Sequence, residues 1–159
     1  AWGCSIAVAR GDQLLAGAVH IPALSETYSA TLGRGARCNG SEIAASATSS
    51  FETALVATGF SYRPQRRAQQ GVTVARLLPQ VRDIRRSGSA AYDLCCVAAG
   101  TVDAYYEECL SLWDLAAGAL IASEAGAQVE YSPSGTRTDI AVVASSPGIF
   151  ELLRSVIDG

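Results

Sequence analysis

The chain has no lysine, no methionine and a single histidine, and only 17% of its 159 residues are charged. That charged share lies below the quarter or so usual for a soluble domain, while 49% of the residues are apolar, so disorder is excluded and a packed globular core is expected. The net charge of −3 comes without a surplus of clustered cation, which argues against a nucleic-acid surface and leaves small molecules or proteins as partners. No apolar run reaches the ~18 residues of a membrane span, and no basic leader with a cleavage signal opens the chain, so a cytoplasmic protein is expected. His20 stands in a strand pattern and no G-x-S-x-G elbow occurs, so a Ser-His-Asp hydrolase lacks its parts. Five cysteines, an odd and scattered number, make no disulfide framework. Adjacent Cys95 and Cys96 lie in an apolar run and read as small core residues.

What the chain does have is arginine, alanine and glycine in abundance, a composition that points to a GC-rich bacterial source. It enters a strand pattern within about four residues and has no initiating methionine, which reads as a piece of a longer protein. CSIAVAR, Gly11-Asp12 and QLLAGAVHI predict a hairpin. ETYSATL adds a third strand, and Asn39-Gly40 suits a two-residue turn. Residues 1–45 are therefore expected to be antiparallel strands of an N-terminal sheet. Residues 46–159 alternate short apolar strands with helical periodicity, the pattern of an α/β domain. The predicted elements there are a strand in TALVATG, a helix over 65–80, a short extended RDIRR, a helix opening at Ser87 or Ser89 and closing at Gly100, and a strand in VDAYYEE. A helix over about 114–125, strands AQVEYS and IAVVAS around a PSG turn, and a helix begun by Pro147 complete the chain. The fold class is a layered α/β sandwich.

Asp114 is expected at a helix N-terminus, where a carboxylate caps backbone N–H groups. Strand alternation sets Asp103, Tyr105 and Glu107 on one face beside it. Such carboxylates repel one another unless screened by solvent, a polyhydroxyl ligand or a hard cation such as Mg2+. Asp93 is expected inside a helix and Asp139 in a loop after the PSG turn. The Gly33/Gly35 pair lacks the strand-to-helix context of a dinucleotide loop and reads as a loop. The clusters Arg63, Arg66, Arg67 and Arg82, Arg85, Arg86 read most simply as solvated faces or salt-bridge partners, with a dimer contact or attraction of an anionic substrate as the alternative.

The stretch SGSAAYDLCCVAAGTVDAYYEECLSLWDLAAGALIASEAGAQV carries W-D-x-A-A-G-x-x-I-x-x-E-A-G, with GSA and DAYYE spaced ahead of it. It resembles the C-terminal half of the inositol monophosphatase family. CSIAVARGDQLLAGAVHIPALSETYSATLGRGARCNG resembles the segment that follows that family's first metal motif. The resemblance implies a Mg2+-dependent, lithium-sensitive phosphomonoesterase that works as a homodimer on a small phosphorylated polyol or sugar of the inositol-1-phosphate type. Histidinol phosphate, fructose 1,6-bisphosphate and 3′-phosphoadenosine nucleotides are the alternative substrates, and a non-catalytic interaction module is the alternative from another class. By the same resemblance Asp114 is a metal ligand and touches substrate, Glu107 accepts hydrogen bonds from substrate hydroxyls, and Gly88, Ser89 and the Ala90 amide line the sugar side. Gly88 also reads as a plain turn, Ser89 as a helix cap and Glu107 as a solvated strand end. The family's other ligands, a Glu and an Asp-Pro-x-Asp-Gly-Thr loop, have no counterpart in these 159 residues. The chain alone is therefore expected not to hydrolyse phosphate esters.

Overall fold

A computed structural model describes residues 2–132 and 138–159. The hairpin forms as expected from β1 (Cys4–Arg10) and β2 (Gln13–Ile21), and β3 (Glu26–Thr31), β4 (Ala36–Cys38) and β5 (Ser41–Ile43) extend it into an antiparallel meander in chain order. Asn39 and Gly40 both have positive φ, 49° and 83°, the geometry a two-residue hairpin turn requires.

The second sheet contains β6 (Leu55–Thr58), β7 (Asp83–Arg85), β8 (Ala104–Ser111), β9 (Gln128–Tyr131) and β10 (Thr138–Ser145) in the order β7-β6-β8-β10-β9. β6 runs parallel to β7 and β8, whereas β10 is antiparallel to β8 and β9. The helices are α1 (Pro64–Leu77), α2 (Ala90–Ala98), α3 (Leu112–Glu124) and α4 (Phe150–Asp158). The turn expected at 133–135 lies outside the described residues.

Alternation along β6 and β8 explains the layering. Ala57 and Tyr105 face one core with α2, α3 and the first sheet, while Val56, Ala104 and Tyr106 face a second core with Leu77 of α1 and Phe150 and Leu153 of α4. Both faces of the second sheet are covered, which is why its strands read as short continuous apolar runs.

Small residues set how closely α3 lies between its neighbours. A methyl group added at Gly17 of β2 would sit 3.0 Å from the Ala117 backbone, and one added at Gly118 would sit 2.7 Å from Cβ of Leu94 on α2. The A-A-G triplet of the motif is thus a close-packing seam, with Ala117 against the sheet and Gly118 against α2.

The far end of the same helix is fastened to the first sheet. The Glu124 carboxylate accepts the N–H groups of Gly33, Arg34 and Gly35 at 2.8, 3.0 and 2.9 Å. The Gly33/Gly35 loop is therefore an anion-binding turn filled by the protein's own side chain. The Gly33 N–H, followed by those of Gly35 and Arg34, holds the Glu124 carboxyl below its ordinary pKa against the opposing effect of partial burial. A carboxyl lowered on folding stabilises fully above its unfolded pKa of about 4.3, and that contribution is lost as pH falls through the lower folded value. Glu124→Ala is accordingly expected to lower the urea midpoint at pH 7, with the gap from the parent closing in acid. An unchanged gap at low pH would show that the carboxylate charge is not what fastens the loop.

Candidate active site

Where β6 and β8 end and α2 and α3 begin, the chain leaves a cleft of about 960 Å³. Gly88, Ser89, Ala90, Glu107 and Asp114 all line it. Two helix N-termini open onto this space, so unpaired backbone N–H groups and the positive ends of two dipoles favour an anion there.

Asp114 sits two residues further into its helix than expected. α3 starts at Leu112 with Ser111 as N-cap, which makes Asp114 the third helical residue. Ser111 and Asp114 form a capping box, in which the Ser111 N–H donates to Oδ2 of Asp114 at 2.8 Å. That bond fixes the orientation of the carboxylate at the cleft wall.

Glu107 is half-buried in the floor. The hydroxyl of fully buried Tyr105 donates to its Oε2 at 2.6 Å. Burial raises the Glu107 pKa and the Asp114 charge raises it further, while the Tyr105 hydroxyl and Arg86 act in the opposite direction. Glu107 is therefore not a solvated strand end.

Gly88 has φ +84°, a conformation that side chains resist, and precedes the N-cap Ser89, whose Oγ accepts the Tyr92 N–H at 3.4 Å. The turn and cap geometries are thus present, and the same two residues also line the cleft. Ala90 is the first residue of α2.

Two readings of the acidic residues change. Asp103 does not join Glu107. Its carboxylate accepts hydrogen bonds from the Ser46 and Thr48 hydroxyls, both at 2.6 Å, and from the Leu55 N–H at 2.8 Å. Burial would raise its pKa, but these donors outweigh burial and the net shift is downward. Asp103 ties down the connector between the sheets. Asp139 lies on β10 rather than in a loop, and lines the cleft. Asp139 and Cys109 both have φ +64°, where the pairing of β10 with β8 is irregular. That irregularity ends strict alternation, and Glu107, Glu108 and Cys109 all reach the cleft wall. Asp93 is inside α2 as expected, and burial followed by the Glu107 charge, against opposing Ser87 hydrogen bonds, leaves its pKa raised to about 6.

The arginine clusters divide. Arg63 and Arg86 line the cleft, with the Arg86 guanidinium 5.9 Å from the centroid of the Phe60 ring. Arg66 pairs with Asp139 at 4.0 Å, Arg85 pairs with Asp83, and Arg67 caps the Ser61 and Tyr62 carbonyls. His20 is exposed on the first sheet, bonded to the Thr27 hydroxyl, and takes no part. Cys95 and Cys96 are buried in the core, and all five cysteines are free.

Among the described residues no group of three or more His, Cys, Asp or Glu side chains is gathered closely enough to hold a metal ion. Asp114 nevertheless offers a hard carboxylate at the cleft, and Mg2+ commonly takes only one or two carboxylates, completing its shell with water and phosphate oxygens. As a single ligand the residue fits such an ion.

The model of the "Inositol monophosphatase family" matches residues 1–154. Inositol-1-monophosphatase SuhB of Mycobacterium tuberculosis (strain ATCC 25618 / H37Rv) is 43% identical over 99% of this chain and 56% of its own length. The Nus factor SuhB of Escherichia coli (strain K12) is 35% identical over 94% of this chain and 57% of its own. The solved structure of Mycobacterium tuberculosis SuhB superposes with a TM-score of 0.91 at 42% identity, covering 98% of this chain and 63% of that one. Inositol monophosphatase from Anabaena gives 0.89 at 30% identity, covering 99% and 66%. The chain thus spans a little over half the length of the curated relatives it matches. With the chain matched by the family model over residues 1–154 and the same layered fold in its relatives, this chain belongs to the inositol monophosphatase family.

Proposed function

We propose that this chain supplies the substrate-facing side of a Mg2+-dependent phosphomonoesterase site, within a longer protein that hydrolyses a phosphate monoester of a small polyol or sugar. The observation that carries the proposal is the convergence of Asp114, Glu107 and the amino end of α2 on one cleft. Residues 1–45 would belong to the N-terminal sheet of that protein and 46–159 to its C-terminal domain.

Asp114 would hold one Mg2+, with its carboxylate oriented by the Ser111 N–H. When bound, such ions activate water and stabilise the charge of the transferring phosphoryl group. The chain's own residues then bind and orient. Glu107 accepts hydrogen bonds from polyol hydroxyls, Ala90 donates its backbone N–H, and Gly88 admits the ligand close to the main chain. Ser89 holds α2 in place through its cap. Arg63 and Arg86 draw an anionic substrate toward the cleft. Inositol 1-phosphate is the favoured substrate, with histidinol phosphate, fructose 1,6-bisphosphate and 3′-phosphoadenosine nucleotides as alternatives. The parent is proposed to be a bacterial cytoplasmic homodimer, inhibited by lithium and without a nucleic-acid partner. Among the described residues no helix is long and apolar enough to cross a membrane.

The test is phosphate release from a panel of these esters with and without Mg2+, run on the intact parent and on this chain alone. Metal-dependent turnover by the parent, best on a polyol phosphate, and none by the isolated chain is expected. Robust turnover by the isolated chain would contradict the assignment of a single metal ligand to these residues. An inert parent would favour the interaction module.

A further inference from the structure

We infer that Gly59 is the positioning residue for Glu107: the space left by its missing side chain is where the Glu107 carboxylate is seated. The parallel register sets Ala57 beside Tyr105 and Thr58 beside Tyr106. Carried on by one residue, it places Gly59 next to Glu107. The Thr58 hydroxyl donates to the Tyr106 carbonyl at 2.9 Å and locks that register at the last residue of β6.

A methyl group built on Gly59 would fall on the Glu107 carboxyl, overlapping its carbon and both oxygens. Backbone conformation is not the reason for glycine here, because φ at this position lies outside the left-handed region. The space itself is what the site needs. The same carboxylate is held through Oε2 by the Tyr105 hydroxyl at 2.6 Å, and Tyr105 is immobilised in the core. A side chain at position 59 must therefore displace the carboxylate from the place where it accepts that hydrogen bond. The buried hydroxyl would then lose its partner. Gly59 thus acts on ligands only through Glu107, and its size sets whether the acid meets a polyol hydroxyl. The ligand part of this inference rests on the proposed role of Glu107, whereas the seat itself does not.

A double-variant cycle separates the two. For this chain, Gly59→Ala is expected to lower the thermal midpoint by about 2–6 °C. In a Glu107→Ala background the same change should cost nothing further, because the displaced group is gone. Equal losses in both backgrounds would overturn the seat. Should Gly59→Ala alone fail to fold, the double variant should still fold, and failure of both would likewise overturn it. In an active phosphatase carrying this chain, Gly59→Ala should raise KM for the polyol phosphate roughly 10-fold, the loss expected for a hydrogen bond to a charged group. The rise should exceed that for an ester without a polyol, which makes no hydrogen bond to Glu107. Coupled unfolding with an unmoved KM would keep the seat for Gly59 and remove Glu107 from polyol binding.

Discussion

Asp114→Asn is expected to lower kcat/KM of an active phosphatase carrying this chain by on the order of 100-fold or more. Replacing even the outer partners of metal ligands costs roughly 10- to 100-fold, and a ligand itself should cost at least as much. Asparagine keeps an oxygen that can accept the Ser111 N–H, so the capping box survives in part. The lost charge at the helix N-terminus should cost at most about 1 kcal/mol of stability. Activity and stability are thereby separated. The checks are steady-state kinetics across a Mg2+ series alongside urea unfolding. A shift of the Mg2+ requirement to higher concentration is expected. An unchanged requirement with a large loss of stability would reduce Asp114 to a helix cap.

Gly118→Val should have the largest effect on stability. The added Cβ would sit 2.7 Å from Leu94 Cβ and 3.2 Å from the Ala91 carbonyl oxygen, in a seam where two helices already touch through backbone. Overpacking a core of this kind costs about 1–3 kcal/mol, and a branched side chain against a helix places the loss near ~3 kcal/mol. For a domain of this size that corresponds to roughly 6–12 °C in thermal midpoint. A control in the same chain isolates the cause. Gly71 is also inside a helix, α1, with no atom within 4 Å of an added Cβ. Gly71→Ala should therefore stabilise by up to about 1 kcal/mol through helix propensity alone. Equal effects at the two positions would show that packing does not decide the Gly118 result.

Much of the architecture was legible because it is written in local periodicity. β2 occupies QLLAGAVHI, the residues predicted for it, and the Asn39-Gly40 turn and the Gly100 close of α2 follow from backbone conformations few residues adopt. The start of α3 was placed two residues late, since Ser111 rather than Asp114 is the cap. Both residue types favour helix N-termini, and propensity does not choose between them. The five candidate residues lie together because a motif holds them at fixed spacings. Residues whose roles depend on distant partners were not legible. Alternation put Asp103 beside Glu107, but hydroxyls at Ser46 and Thr48 consume its carboxylate. Asp139 and Cys109 reach the cleft through an irregular strand pairing that no local pattern announces. Nothing in TALVATG distinguishes Gly59 from a strand-ending glycine.

From its order of residues alone, this chain determined the alternation of strand and helix, the hairpin turns, the apolar faces and the carboxylate at the head of α3. Each of these depends on backbone conformation and hydrophobic periodicity over a few neighbours. Tertiary structure decided which acids meet, which arginines face the cleft, why Glu124 and Gly118 belong to the motif, and what Gly59 leaves room for. Those outcomes depend on contacts between residues far apart in the chain, such as the 91 positions separating Gly33 from Glu124. Only the packed layers bring such residues within hydrogen-bonding or van der Waals range.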